Sequence, residues 1–378
     1  VALPAGTAGA VVAIKDYANT FDTGTLTLVQ NGSDKIGGST INATLSTEGL
    51  AVTLVFIDST QGWLVTDNGT QDTAPTSLYV TATGGTITCS GNFRIHTFTG
   101  PGTFAVSCAG NASGSNTVDY MVVAGGGGGG YFYGGGGGAG GARMSKGTAS
   151  GSYTVGPLGA CVSALSVPAT AYPITIGGGG AGGTGGTPTG GGGYDGIPGN
   201  TSTFSSITST GGGGAAGTTG SARDGLPGGS GGGASGGPPG AAACGGTGNT
   251  PPVSPPQGQS GGNSPPGDSN GGGGGGATAV GANGSPGSTC QGGAGVANNI
   301  TPTVGQPSGG NQYFAGGGNP SNSGYAAQPE GGLGGGGTGP ASPDGGVGGV
   351  NTGGGGGGND NPGTGGSGVV VIRYKFQN

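Results

Sequence analysis

Charge is scarce in this chain. Lys and Arg number 8 and Asp and Glu 14 among 378 residues, which is 6 % in all and a formal net charge of −6. A nucleic-acid binder needs a basic footprint. Here the basic residues stand singly, so neither nucleic acid nor an anionic membrane surface is an expected partner. No run approaches the roughly 18 apolar residues of a membrane span, so membrane insertion is not expected either. The chain opens Val-Ala-Leu-Pro with no initiator Met and no visible secretion signal; the expectation is a processed chain, or one that begins inside a longer product.

Residues that do chemistry are equally few. His96 is the only histidine, Trp63 the only tryptophan, and the five cysteines are Cys89, Cys108, Cys161, Cys244 and Cys290. With no CxxC and one histidine, a zinc site lacks ligands. An odd number of widely spaced cysteines is a poor disulfide framework. The thiols are expected to be small buried hydrophobes, with a Cys89–Cys108 pair across a hairpin as the alternative. His96 is read as structural, Trp63 as core, and Asp58 and Asp67 as turn caps rather than an acid pair. Asp16, Asp22 and Asp34 lack calcium-loop spacing. Matches to GxGxxG arise from composition alone, and no helix is available to follow them. The expectation is no catalytic residue, no metal and no cofactor.

Glycine is what the chain has in excess: 109 residues, with 25 prolines. Since glycine costs roughly 1 kcal/mol per helical position relative to alanine, packed α-helices are excluded. The glycines come in runs, at 125–130, 134–138, 177–180, 190–193, 211–214, 271–276, 334–337 and 353–358. Collagen, with one glycine every third residue, is therefore excluded as well. Residues 1–124 hold 16 of the glycines and residues 125–378 the other 93, so the composition changes abruptly after Val122-Val123-Ala124.

The first region reads as strands at 11–14, 25–29, 52–57 and 62–65, with turns of positive φ at Asn31-Gly32 and Asn68-Gly69. Further strands follow at 77–81, 86–89, 93–98, 103–106 and 118–123. In the second region strand-like segments return at 151–155, 172–176 and 203–207, and the chain closes on the apolar Val369-Val370-Val371-Ile372-Arg373-Tyr374. A flexible linker has no reason to carry such strands. Extended glycine chains can instead adopt the polyproline-II helix, with three residues per turn and no internal hydrogen bonds. Every N–H and C=O then points outward and needs a partner, which neighbouring glycine helices can supply, helped by Cα–H···O contacts.

The sequence Asp119-Tyr120-Met121-Val122-Val123-Ala124 followed by six glycines resembles the opening of a glycine-rich domain family found in phage tail proteins and in bacterial sequences. Ser152-Tyr153-Thr154-Val155-Gly156, Ile174-Thr175-Ile176-Gly177-Gly178, Asn200-Thr201-Ser202-Thr203-Phe204 and residues 365–374 are similar to its further marks. The resemblance covers about residues 118–374 and implies a polyglycine-II bundle on a β-framework, as in tip adhesins of phage long tail fibres. Residues 1–70 also resemble a small β module of phage tail appendages.

The expected fold is all-β with essentially no α-helix. It comprises a β module over 1–75 for attachment or oligomer contact, strands over 76–124, and a polyglycine-II domain over 125–378. The expected function is a non-enzymatic tail-fibre or appendage adhesin on the virion surface. Its expected partners are a host-cell surface protein or glycan, other tail proteins and copies of itself, with a trimer favoured by analogy. A structural subunit of an extracellular filament or surface layer is the alternative. Aromatics between the glycine runs are the candidate receptor-binding residues: Tyr131, Phe132, Tyr133, Tyr194, Tyr313, Phe314 and Tyr325. Such side chains give rigid contact area at low entropy cost; equally, they could cap the bundle or seal subunit contacts.

Overall fold

The computed structural model describes residues 1–70, 78–112, 114–147, 149–151, 153–185, 194–218, 220–237, 242–267, 269–285, 290–321, 330–339 and 344–377. It is all-β, with no α-helix among the described residues. Val1–Thr76 and Ser77–Asn378 form two compact units.

The first unit contains β1 (Val11–Lys15), β2 (Leu26–Leu28), β3 (Ala43–Leu45), β4 (Leu50–Phe56) and β5 (Trp63–Thr70). Strands β1, β4 and β5 form one antiparallel sheet and β2 pairs with β3. The period of two in β4 sends Val52, Leu54 and Phe56 inward to meet Leu3, Leu28 and Trp63. Trp63 has no exposed surface and lies edge-on to Phe56 at 5.5 Å between ring centroids. Asn31-Gly32 forms the expected turn, with Gly32 at φ 55°. Asn68-Gly69 does not. Both residues lie within β5 opposite Val52 and Ala51, where the ladder to β4 overrides a local turn preference.

The second unit is built on β6 (Val80–Thr83), β7 (Thr86–Ser90), β8 (Phe93–Phe98), β9 (Gly102–Ala109), β10 (Thr117–Val123), β11 (Ala142–Met144), β12 (Leu165–Ser166), β13 (Ala171–Thr175), β14 (Ser202–Phe204), β15 (Ile207–Ser209), β16 (Val296–Ala297), β17 (Gln306–Ser308), β18 (Asn311–Phe314) and β19 (Val369–Lys375). One sheet runs β11-β10-β19-β8-β7, with β12 also pairing β10, and a second runs β15-β14-β13-β9-β6. The C-terminal strand β19 is thus inserted between β10 and β8, with Val371 opposite both Met121 and Thr97. Its alternate residues serve two cores. Val370, Ile372 and Tyr374 join Phe104, Val118, Tyr120, Ile174 and Phe204 in one cluster. Val369 and Val371 join Met121, Val123, Met144, Val296 and Phe314 in the other. A sheet buried on both faces explains why β10 and β19 are nearly continuous in apolar residues. The region expected as a strand at 203–207 is instead a hairpin of β14 and β15, turned by Ser205 at φ 54°. Residues 153–155 carry only an isolated bridge from Val155 to Asn298.

No disulfide joins any of the five cysteines. Cys89, Cys161 and Cys244 are exposed, Cys108 is half-buried, and Cys290 alone is buried. The expected role as buried hydrophobes holds only for Cys290, because the others lie on strand faces or outer segments that look to solvent.

Glycine segments run back and forth from the strand framework. Residues 124–130 leave it directly after β10, and residues 134–141 return to it and enter β11. The hydrogen bonds of 124–130 repeat every third residue. N–H groups of Ala124, Gly127 and Gly130 donate to Gly141, Gly138 and Gly135; those of Gly125 and Gly128 donate to Asn200 and Ile197; those of Gly126 and Gly129 donate to Gly366 and Gly363, all at 2.8–3.1 Å. The carbonyls follow the same period. Gly125 and Gly128 accept from Gly212 and Ala215, Gly126 and Gly129 from Gly180 and Gly183, and Gly127 and Gly130 from Gly356 and Asn359, at 2.9–3.2 Å. Six neighbouring segments therefore surround this one, three antiparallel as acceptors and three parallel as donors. A repeat of three with all polar groups directed outward is the polyglycine-II helix, and no N–H or C=O of residues 125–130 lacks a partner.

These glycines are required by space. None of residues 125–130 has positive φ. A Cβ at Gly125, Gly126, Gly127, Gly128, Gly129 or Gly130 would instead overlap the carbonyl oxygen of Gly178, Gly354, Gly213, Ala181, Gly357 or Ala216. Those carbonyls belong to the three parallel neighbours, so the Cα atoms face carbonyls on the sides where Cα–H···O contacts form.

Candidate functional site

Where residues 124–130 end, away from the strands, the chain must reverse, and it does so through Tyr131-Phe132-Tyr133. Phe132 takes the left-handed conformation, φ 58°, which is uncommon for a bulky residue and persists only where the surroundings fix it. The surroundings here are backbone bonds from several segments. Tyr131 N–H donates to Tyr194 O at 2.9 Å, Phe132 N–H to Asn359 O at 3.0 Å, Thr218 N–H to Tyr131 O at 3.1 Å and Gly236 N–H to Tyr133 O at 2.8 Å.

The side chains gather in consequence. Tyr131 stacks on Tyr194 at 5.9 Å and on Phe132 at 6.1 Å, and Phe132 meets Tyr133 edge-on at 4.3 Å. All four are half-buried, leaving a rigid aromatic surface open to solvent. Beside it Asp195 Oδ2 pairs with Arg223 Nη2 at 2.6 Å, while Asp195 Oδ1 accepts from Gly217 N–H at 3.0 Å and Arg223 Nη1 donates to Gly217 O at 3.2 Å. Spacing alone gave no signal for this charged pair, because Asp195 and Arg223 are brought together by adjacent segments of the lattice.

The other candidates lie elsewhere. Tyr313 is half-buried in β18 opposite Ala297 and Gln306. Phe314 has no exposed surface and fills the core beside Val296 and Val369, so the expected loop placement of this pair is corrected to a framework strand. Tyr325 lies outside the described residues.

His96 is fully buried in β8. Its Nδ1–H donates to Gly84 O at 2.7 Å, which leaves Nε2 to accept from Tyr374 Oη–H at 3.0 Å. Burial, chiefly, holds its pKa below the ordinary 6.5. Below that pH the unfolded chain takes up a proton that the folded chain refuses, so stability falls with acidification. The unfolding free energy of the second unit, read from urea titrations, is expected to drop between pH 7 and pH 5, by at most about 1.4 kcal/mol per pH unit from this residue. His96→Gln is expected to flatten that slope.

The acidic residues serve loops. Asp58 Oδ1 accepts from Thr60 and Gln61 N–H, and Asp16 from Thr20, Phe21 and Gly49 N–H. Among the described residues no three His, Cys, Asp or Glu side chains are placed to hold a metal ion.

The sequence profile of the glycine-rich domain matches residues 97–375. The chain belongs to that family. No curated protein and no solved structure matches it. The limits of this glycine-rich domain make structural sense. They fall within β8 and at the last residue of β19, strands that pair with one another. The domain therefore begins some twenty residues before the resemblance seen in the sequence, and it includes β9, which pairs with β13.

Proposed function

We propose that this chain is an adhesin of a phage tail fibre or appendage, which binds a host-cell surface protein or glycan without catalysis. The observation that carries the reading is the stacked cluster of Tyr131, Phe132, Tyr133 and Tyr194 at the end of the lattice away from the strands. Rigid, amphipathic rings on a preorganised backbone lose little entropy on binding. The lattice supplies the preorganisation, since the reversal at 131–133 is bonded to neighbouring segments. Assembly as a homotrimer with other tail proteins would multiply weak contacts into avidity.

The test is adsorption of labelled protein to a panel of bacterial cells and to a glycan array, with competition against phage infection. The triple variant Tyr131→Ala, Tyr133→Ala, Tyr194→Ala is expected to keep its near-ultraviolet circular dichroism from the framework. It should lose at least about tenfold in cell binding, as hot-spot aromatics do. Binding to no surface by the native chain, or equal binding by the folded variant, would remove the proposal.

A further inference from the structure

Far along the chain from the aromatic reversal, the strand framework carries a polar groove of about 230 Å³, lined by Ser90, Asn299, Thr301, Gly310, Gln312 and Arg373. This is below the roughly 300–1,000 Å³ of pockets for drug-sized ligands, and it suits a single sugar ring.

Arg373 is only 7 % exposed. Its guanidinium is clamped between the rings of Phe93 and Tyr153, each 4.9 Å from Cζ. Nε–H donates to Ser150 O at 3.1 Å and Nη1–H to Ile300 O at 3.4 Å, which fixes the plane of the fork. Nη2 has no hydrogen-bond partner among the described residues. A buried cation ordinarily sits on a carboxylate, and Asp119, its register partner from β10, is the obvious one. The two form no direct ion pair among the described residues; the Asp119 oxygens face serine donors instead. Oδ1 accepts from Ser145 Oγ–H at 2.7 Å, and Oδ2 accepts from Ser150 N–H at 2.7 Å and Ser150 Oγ–H at 2.6 Å. The charges balance at a distance through Ser150, and the outer edge of the guanidinium is left for another acceptor.

The remaining lining is neutral and rich in hydrogen-bonding groups. Neither the Ser90 hydroxyl nor the Gln312 side-chain amide has a hydrogen-bond partner among the described residues, and Asn299 is oriented by its bonds to Asn311 and to Gln312 N–H. No second cation lines the groove. Arg94, the nearest basic residue along β8, lies over Phe376 at 4.6 Å. A phosphate dianion favours several cations, whereas one fixed guanidinium edge with amides and a hydroxyl matches one carboxylate on a hydroxylated ring.

We infer that this groove binds a carboxylate-bearing sugar, with the carboxylate on Arg373 and ring hydroxyls on Gln312 and Ser90. The site is separate from the aromatic reversal, and the inference does not depend on the adhesin reading.

The test follows the Arg373 Nε–H resonance of the ¹⁵N-labelled full chain during titration with glucuronate, methyl glucoside, acetate and phosphate. A saturable shift with glucuronate is expected, with affinity at least about tenfold better than for any of the other three, since both the charge-assisted bond and the hydroxyl contacts are needed. Gln312→Ala, a change on a half-exposed strand position, should weaken glucuronate about fivefold, the value of one hydrogen bond. It should leave acetate and the adsorption to cells unchanged. No saturable shift with glucuronate, phosphate or acetate binding as tightly as glucuronate, or an unaltered glucuronate affinity in the folded Gln312→Ala variant would each overturn the inference.

Discussion

Gly127→Ala is expected to destabilise the second unit by about 3 kcal/mol or more, at the upper end of what overpacking costs in an ordinary core. The added methyl would overlap Gly213 O and crowd Gly212 O. In an oily interior a side chain can rotate away. Here the obstacle is backbone that is itself bonded: Gly213 N–H donates to Ser230 O at 2.8 Å and Gly213 O accepts from Gly138 N–H at 2.9 Å. Displacing one segment therefore strains bonds to the next. Gly100→Ala is the matching control. That glycine has ordinary φ and nothing within 4 Å of a Cβ, so its change should stay within about 0.5 kcal/mol. Urea unfolding followed by tyrosine circular dichroism separates the two outcomes. Fluorescence of Trp63, in the core of the first unit, should show an unaltered transition in both variants.

Val371→Asp is the second change of large effect. Val371 has no exposed surface, lies between Met121 and Thr97 on the central strand, and belongs to the cluster with Met144 and Phe314. A carboxylate there has no partner among those apolar neighbours. The expected loss is about 4 kcal/mol or more, with unfolding or insolubility of the second unit as the extreme. Val347→Asp, at a position 67 % exposed, should be tolerated. A second unit of unaltered urea midpoint in the Val371 variant would show that the lattice holds without its strand framework.

Strands of the framework were legible in the sequence where the apolar pattern was strong. Residues 93–98 are β8 as expected, and the apolar run at 369–374 is β19. The short strands β16, β17 and β18 were not, since Gln306-Pro307-Ser308 and Asn311-Gln312-Tyr313-Phe314 carry no alternating pattern and are defined by pairing with each other. The same lack of pattern led Phe314 to be read as a loop aromatic.

The lattice was legible from the glycine runs, but only its interior. Central segments such as 125–130 touch neighbours on every side and need glycine at every position. Outer segments touch neighbours on one or two sides and need it only there. In residues 194–200, Gly196 and Gly199 face Gly128 O and Gly125 O, while Ile197 between them is 47 % exposed. Gly225 and Gly228 repeat the spacing of three, as do Gly363 and Gly366. A glycine every third residue, a spacing not singled out in the sequence beside the runs, marks these outer helices. The pairing of Tyr131 with Tyr194 depends on which segments lie side by side, so it could not be read from either residue alone.

The account rests on main-chain amides packed side by side doing the work of an apolar interior, and hydrogen exchange reads this residue by residue. The amides of residues 125–130 are predicted to exchange about 10⁴-fold or more slowly than in a free peptide, at the same free energy as those of β10 and β19, because lattice and framework would open as one unit. Exchange of those six amides within about tenfold of the free-peptide rate, with β10 and β19 still protected, would contradict it.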